Sequence, residues 1–555
     1  MRPTTNALAG LATAIVVLAL AVALNFAFWW VQGRPQDLPD AKTPNIKSAS
    51  FSPYRPGQSP FGECFTRAQL EEDMAVAAKY FTRIRTYSNT GQFAPVPELA
   101  QKNGLKVILG AWIGANLQDN EDEIAGAIKA ANAYPDTVER VVVGNEVLLR
   151  SEVTPELLIK YIRRVKAAIK QPVTYADVWE YWLEYPQVAR EVDSITIHVL
   201  PYWENTPTPL EHTIEHMLEA RAKITRAFPG KPVLIGEIGW PSAGRVRKDA
   251  VPGRVAQARF VRQIINTAVE RGIDFNIFEL FDEPWKANQE GTVGANWGLI
   301  DSNRHLKFPL TGPVSEKPYW FSAFLASSGL AGLLAALALF LRPPRGFGKT
   351  ALICLAAQFL STLLAASAEQ SLHLAFGLGG LASGLLLTGG GALLCLLVFS
   401  ELADLAAGHG ENPGPRPLAP VIARLESLRS RRLDLTSRAG LVGLLDLMFG
   451  LAALSQTVGL IVDPRYRDFR VAQFLPVALC LALRLFATRE LPRPVGSPRE
   501  EWLFVCSFVA GAVIIPLVEG LKNPAALAWG GTLLLLAVPW GLAILRQRQA
   551  KAKAI

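Results

Sequence analysis

Five cysteines in 555 residues form no CxxC pair and no plausible disulfide framework. Cys354, Cys395, Cys480 and Cys506 fall in apolar runs, where cysteine behaves as a small hydrophobe, and Cys64 is alone in the polar part of the chain. A domain without disulfides must be held by its core. Six histidines are scattered without metal-ligand spacing, so neither a metal nor any other cofactor is expected. No GxGxxG follows an early strand pattern, which leaves a dinucleotide-binding open sheet without its signature. The basic excess is not a nucleic-acid signal. Residues 318–555 carry 21 Lys+Arg against 13 Asp+Glu, whereas residues 1–317 carry 35 of each, so the whole net charge of +8 travels with the most apolar part of the chain. No nucleic-acid partner is expected.

What the chain does have is a split composition. Residues 45–312 mix charges and aromatics as a water-soluble α/β domain does, whereas 7–32 and 320–545 are dominated by Leu, Ala, Gly, Val and Phe. The first apolar run, 7–31, exceeds a signal-peptide core and has no clear small-residue cleavage site. It ends in Phe26, Phe28, Trp29 and Trp30, an aromatic cluster suited to a headgroup interface. This reads as an uncleaved anchor over 1–32. Seven further candidate spans follow, near 320–341, 349–367, 374–399, 439–462, 471–488, 502–519 and 524–545, each close to the ~20 residues a bilayer core requires. The loops 342–349, 411–438 and 489–500 and the C-terminal tail are basic, whereas 367–373 and 519–524 are not. With the basic loops inside, eight spans put both termini in the cytoplasm and residues 33–317 outside. Among the ionisable groups at membrane depth, Arg484 and Glu519 suit snorkelling at span ends, and Asp446 suits either that or a polar path.

Within 45–312, short β-rich runs alternate with helical patterns. The runs are 45–54, 81–88, 105–114, 138–146, 171–178, 192–200, 231–239 and 272–281, with amphipathic stretches such as 66–81, 154–170 and 255–272 between them. Eight such units within 45–312 match a (β/α)8 TIM barrel of the α/β class, which typically takes ~250 residues. It is inserted between the N-terminal transmembrane anchor and a multi-span α-helical membrane domain, 318–555. Near-continuous apolar strands fit a parallel sheet buried on both faces.

In such a barrel, chemistry sits where strands end. Strand 2 ends in Arg85 and Tyr87, strand 4 in Asn145 and Glu146, and strand 5 in Asp177. Strand 6 ends in His198 with Tyr202 and Trp203 beyond, and strand 7 in Glu237, followed by Trp240. Strand 8 contains Glu279 and leads to Glu283, Trp285 and Lys286. Two rim glutamates facing each other across a barrel mouth suit glycosidic-bond chemistry, one protonating the leaving oxygen and one attacking the anomeric carbon. Against this stands a structural rim salt bridge, with Arg85 or Lys286 neutralising either glutamate. His198 suits a core position as well as a site. Trp203, Trp240 and Trp285 suit sugar platforms as well as rim packing. Of Glu279 and Glu283, the spacing favours Glu283, paired with Lys286, as the residue facing substrate.

The segments SFSPYRPGQSP (50–60), IRTYS (84–88), VVVGNEV (141–147), TIHVLPYWE (196–204), IGEIGWPS (235–242) and FDEPWK (281–286) resemble glycoside hydrolase family 17, the β-1,3-glucanase family. The eight-span architecture is most similar to its bacterial membrane-bound members, the β-(1,6)-glucan synthases involved in making β-(1,3),(1,6)-glucans. The resemblance implies a retaining double displacement with Glu146 as acid/base and Glu237 as nucleophile, Asn145 on the substrate 2-hydroxyl and Tyr202 near the nucleophile. Strand 8 departs from the plant pattern, since Pro284 and Trp285 follow Asp282–Glu283. The expected activity is β-1,3-glucan transglycosylation that forms β-1,6 or β-1,3 linkages. An endo-β-1,3-glucanase and a glycan-binding or export platform are the alternatives. The expected partners are a β-glucan, the lipid bilayer and a glucan synthase or exporter. The expected location is the bacterial inner membrane, with the barrel periplasmic.

Overall fold

The computed structural model describes residues 5–409, 417–418, 438–488, 493–494 and 499–552. The chain divides into two compact units, Pro35–Ser315 and a second made of Met1–Arg34 with Glu316–Ile555. The basic segments 411–438 and 489–500, on which the charge reading of topology leans, lie almost wholly outside the described residues.

The first unit is a closed barrel of eight parallel strands in chain order. They are β1 (Ile46–Ser50), β2 (Phe81–Arg85), β3 (Lys106–Ala111), β4 (Val138–Asn145), β5 (Val173–Val178), β6 (Ile195–His198), β7 (Val233–Ile238) and β8 (Asp274–Ile277). Each lies inside the run expected from the sequence, and Ala49 of β1 pairing Ile277 of β8 closes the circle. Alternation along the strands sorts the side chains. Val107, Leu109, Val141 and Val143 join the large core beneath the helices. Their neighbours Ile108 and Val142, with Ala176 and Leu234, form a small separate cluster inside the barrel.

Local signals explain the helices. Thr66 accepts from Gln69 N while Gln69 Oε1 accepts from Thr66 N, a capping box that starts Arg67–Tyr80. Thr154 caps Pro155–Ala168, proline stands in its first turn, and Leu158, Tyr161, Ile162 and Val165 make a buried stripe at helical spacing. At the two ends of the unit, Gln36 N donates to Val314 O at 2.8 Å and Val314 N to Gln36 O at 3.0 Å. The chain therefore enters and leaves the barrel at one point.

The second unit contains seven described helices long and apolar enough to cross a membrane: Leu11–Gly33, Trp320–Leu341, Phe347–His373, Gly377–Ala407, Gly440–Val462, Glu501–Glu519 and Pro524–Gln549. The remaining expected span is a shorter apolar helix, Val471–Phe486. Polar side chains tie the first helix into this unit. Asn25 Nδ2 donates to Ser327 Oγ (2.9 Å) and Ser328 Oγ (3.0 Å), and Asn25 Oδ1 accepts from Thr362 Oγ1 (2.9 Å). A Cβ on Gly33 would meet the Trp320 side chain at 2.2 Å, so only glycine admits that indole. Arg484 corrects the snorkelling expectation: its Nε lies 2.9 Å from Glu401 Oε2 in a buried ion pair. A guanidinium with so close a carboxylate has no need to reach for water.

Between β2 and β3 the backbones approach closely at Gly110. A Cβ there would stand 2.3 Å from Thr86 O and 2.7 Å from the Tyr87 carbonyl, main-chain atoms that cannot swing aside. Gly110→Ala should therefore destabilise the barrel by about 1–3 kcal/mol. In thermal unfolding of the full chain, the barrel transition should drop by about 2–4 °C for each kcal/mol, and an unchanged transition would show the strands can part.

Candidate active site

All eight strands deliver their C-terminal residues to the same rim, and six expected residues meet there through hydrogen bonds. Arg85 ends β2, and its Nη1 donates to Glu237 Oε1 (2.9 Å) and Gly236 O (2.8 Å) while Nη2 donates to Asn145 Oδ1 (2.5 Å). The Tyr87 hydroxyl, 2.9 Å from Glu237 Oε1 and 3.0 Å from Ser50 Oγ, donates to the carboxylate and accepts from the serine. Ser50 is held in turn by Asn276 Nδ2 at 2.9 Å. Glu237 is thus fixed by β1, β2 and β8 as well as by its own strand.

His198 links the two glutamates. Its Nδ1 lies 2.7 Å from Glu146 Oε1 and its Nε2 lies 3.5 Å from Glu237 Oε1. The imidazole is wholly buried, Glu237 nearly so, and the Glu146 side chain is the open member at 24% exposure. With Glu146 ionised the imidazole must donate from Nδ1; with Glu146 protonated the carboxyl donates to it. One ligand atom from each of Glu146, His198 and Glu237 lies within 4.8 Å of the others, close enough to hold a metal ion. The Arg85 guanidinium already supplies a cation at Glu237, and its charge opposes a second one there.

Glu146 stands on a turn whose backbone is unusual. Gly144 has φ +85° and Glu146 φ +50°, the left-handed region, which costs a glutamate about 1–3 kcal/mol. Glu146 N donates to Ala176 O at 2.7 Å, Arg150 N to Glu146 O at 2.9 Å, and Arg150 Nη1 to Asn145 O at 2.5 Å. Burial pushes the Glu146 carboxyl up, but the His198 hydrogen bond and the charges of His198, Arg150 and Arg85 outweigh it and hold the group below its ordinary range. Burial, with Glu237 beside it, raises the Tyr87 phenol far above its usual value, so it stays a donor.

Beside these lies a second cluster. Lys286 Nζ is 2.7 Å from Glu279 Oε2 and 3.6 Å from Glu283 Oε2, and Trp285 Nε1 donates to Glu283 Oε2 at 2.7 Å. This corrects the expectation that Lys286 pairs with Glu283 while Glu279 turns away: Glu279 is the nearer partner, and both carboxylates are fully buried. Burial first, then the neighbouring Glu283, pushes the Glu279 carboxyl well up. Trp285 remains half-buried, with Tyr54 and Phe61 edge-on to it at 6.2 and 6.0 Å.

Two expected residues have gone into the core. Trp240 is wholly buried and donates from Nε1 to Val251 O at 3.2 Å, so it offers no face to a sugar. Tyr202 is equally buried, with its hydroxyl given to Arg245 O at 2.6 Å and its ring stacked on half-buried Trp203. The tyrosine that donates to Glu237 is Tyr87. The Asp177 carboxyl, named only as a rim group, accepts from the Tyr175 hydroxyl and from Val178 N at 2.8 Å. Its sequence signal was an acid on the last turn of a buried strand, and nothing in the spacing separates such an acid from a surface one.

Residues 48–298 match the family model of the BtgE/BtgC glycoside hydrolase domain. The glucan 1,3-beta-glucosidase of Arthroderma benhamiae is 27% identical over 278 residues, covering 46% of this chain and 89% of that protein. The glucan 1,3-beta-glucosidase of Schizosaccharomyces pombe is 29% identical over 266 residues, covering 45% of this chain and 82% of that protein. Among solved structures, the glycoside hydrolase family 17 beta-1,3-glucanosyltransferase from Rhizomucor miehei is 26% identical, with a TM-score of 0.43 over 48% of this chain and 97% of that one.

The buried Asp177 makes a pH dependence. Burial, opposed by the Tyr175 hydrogen bond and assisted by the charge of Glu146, lifts its carboxyl from 3.8 to about 6. Between those values the unfolded chain has released its proton while the native one still holds it, so this group's stability contribution falls as pH rises and is level above. The stability gap between Asp177→Asn and the unmodified chain should therefore grow in favour of the asparagine from pH 4 to 6, by at most about 1.4 kcal/mol per unit. Chemical unfolding of both proteins across that range reads it, and a constant gap would refute a raised carboxyl.

Proposed function

From a barrel that is a family 17, β-1,3-glucanase-like glycosidase domain, we propose a retaining β-glucan transglycosylase in which Glu237 is the nucleophile and Glu146 the acid/base. The observation that carries this reading is the carboxylate separation. The Glu146 and Glu237 ligand oxygens lie within 4.8 Å of each other. Retaining glycosidases hold theirs about 5–5.5 Å apart, whereas inverting ones need about 6.5–9.5 Å to admit a water.

The chemistry follows from the contacts. Arg85 and Tyr87 both donate to Oε1 of Glu237, which leaves Oε2 to attack the anomeric carbon. The C1–Oε2 bond forms as the glycosidic C1–O bond breaks, and Glu146 gives its proton to the departing oxygen. Left ionised, Glu146 accepts the Nδ1–H hydrogen bond of His198 until an acceptor arrives. An acceptor hydroxyl then loses its proton to Glu146 and attacks C1, releasing Glu237. Asn145, oriented by Arg85, suits the substrate 2-hydroxyl. Half-buried Trp203 and Trp285 suit sugar faces, and Lys286 suits a ring hydroxyl, whereas the fully buried Glu279 and Glu283 serve to hold Lys286.

Transfer to a sugar, forming β-1,6 or β-1,3 linkages, is the finer part of the proposal. Hydrolysis by water uses the same carboxylates, and the two fungal relatives named as glucosidases favour it as the second reading. We further propose that the apolar helices hold the barrel on the outer face of a bacterial inner membrane, beside a glucan synthase or exporter. The basic excess of 318–555 and the Asn25 network, which makes the first helix part of the membrane unit, support this.

Full-length protein in detergent, incubated with laminari-oligosaccharides, should yield longer or β-1,6-linked products with the β-anomer retained; shorter products alone would leave hydrolysis. Glu237→Gln should abolish both outcomes, and Glu146→Gln should lower kcat/KM by about 10²–10⁴-fold. Retained activity in either variant would remove that assignment. Dialysis against a chelator should leave the rate unchanged, and a loss restored by a divalent ion would make the Glu146–His198–Glu237 trio a metal site instead.

A further inference from the structure

Resting on Glu146 as acid/base, we propose that Tyr175 and Asp177 are positioning residues for it: the Tyr175 hydroxyl, aimed by Asp177, clamps the left-handed turn that carries the glutamate to His198. Neither touches the reacting atoms. Tyr175 meets both ends of the turn, with its ring 3.4 Å from the point where a Cβ on Gly144 would stand and its hydroxyl accepting from Leu148 N at 3.0 Å. Between those contacts lie Asn145 and Glu146.

Other main-chain groups of the turn find partners elsewhere. Glu146 N donates to Ala176 O, Glu146 O accepts from Arg150 N, and Asn145 O accepts from the partly exposed Arg150 guanidinium. Leu148 N alone is held by a buried side chain, so it is the anchor that a mutation can remove without altering the main chain. Tyr175 is 1% exposed and its ring lies against Trp182 at 5.5 Å, so the clamp is rigid.

A phenol hydroxyl rotates, and only one orientation offers Leu148 N a lone pair. Asp177 selects it. The carboxylate takes the Tyr175 proton on Oδ2 while Oδ1 is fixed by Val178 N, so the acceptor side of the oxygen faces Leu148. Asp177 also pairs with Ile197 across the sheet and the next residue, Val178, with His198, so one strand segment sets the clamp beside the imidazole that receives Glu146. Removing the hydroxyl leaves Leu148 N buried without a partner and releases a strained turn.

A displaced general acid has a recognisable kinetic signature. It slows substrates whose leaving group needs a proton and spares those whose leaving group departs as a stable anion. In full-length Tyr175→Phe, kcat/KM for laminari-oligosaccharides should fall by about 10- to 100-fold. For 2,4-dinitrophenyl β-laminaribioside the fall should stay under about threefold, since that phenolate needs no acid. Asp177→Ala should follow Tyr175→Phe, and Asp177→Asn, which still accepts the phenol proton, should recover most of the activity. Comparing two substrates on one preparation cancels any inactive fraction. Equal losses on both, or no loss on the oligosaccharide, would overturn the proposal. Glu146→Gln on the same pair tests the underlying reading separately: equal loss on both substrates would mean that the acid/base assignment has failed, whereas selectivity there with none in Tyr175→Phe would sink the clamp alone.

Discussion

The site is organised around one buried ion pair. Arg85 and Glu237 are 1% and 6% exposed, and their 2.9 Å contact removes two charges from water at the centre of the rim. A pair so desolvated is better tolerated the more of its remaining donors and acceptors are satisfied. The second guanidinium nitrogen therefore needs Asn145 Oδ1, and the same Glu237 oxygen draws in Tyr87 and, through it, Ser50 and Asn276. Five strands become committed to the position of one carboxylate. Substrate chemistry then inherits that rigidity, because Glu237 has almost no conformational freedom left to lose.

Glu146 is held by opposite means. It is the exposed member of the pair, it stands at φ +50°, and one imidazole fixes its carboxylate. A nucleophile must stay ionised and still, whereas an acid/base must gain and lose a proton within one turnover. The asymmetry of the two settings fits those two tasks. In the free barrel His198, Arg150 and Arg85 favour the anion at Glu146 and burial opposes them, so in the proposed role the proton has to be retained against those three groups.

Much of this was legible in the residues. Every strand falls inside a run read from apolar periodicity, since a parallel strand buried on both faces must be apolar almost throughout. The six residues joined around Glu146 and Glu237 were all legible as strand-end polar groups. What failed was the reading of aromatics and of charges close in sequence. Trp240 looks like a sugar platform and Tyr202 like a neighbour of the nucleophile, but each has a polar atom that a nearby main-chain oxygen can satisfy, and that lets the whole ring sink into the core. Lys286 is three residues from Glu283 and seven from Glu279, yet the irregular chain after β8 brings the farther one nearer. The Arg484–Glu401 pair joins positions 83 apart, which no local pattern reveals. Asp177 and Tyr175 share a strand face at a spacing of two, which was visible, but their joint hold on Leu148 depends on a turn conformation that sequence does not announce.

The bridge between Gln36 and Val314 has a consequence for how such a chain can exist at all. A disordered insert of roughly this length between two helices would cost its host about 5 kcal/mol of closure entropy, by the logarithmic dependence on loop length. Because the folded barrel brings its own ends together, that cost is met inside the barrel, and to the helices on either side the insert resembles a connection of a few residues. Folding of the two units then separates: the barrel can form, or be exchanged for another domain with adjacent termini, without changing the register in which the first helix seats Asn25 among Ser327, Ser328 and Thr362. The barrel and the helices are thus joined at the entropic cost of a short loop rather than of a long one.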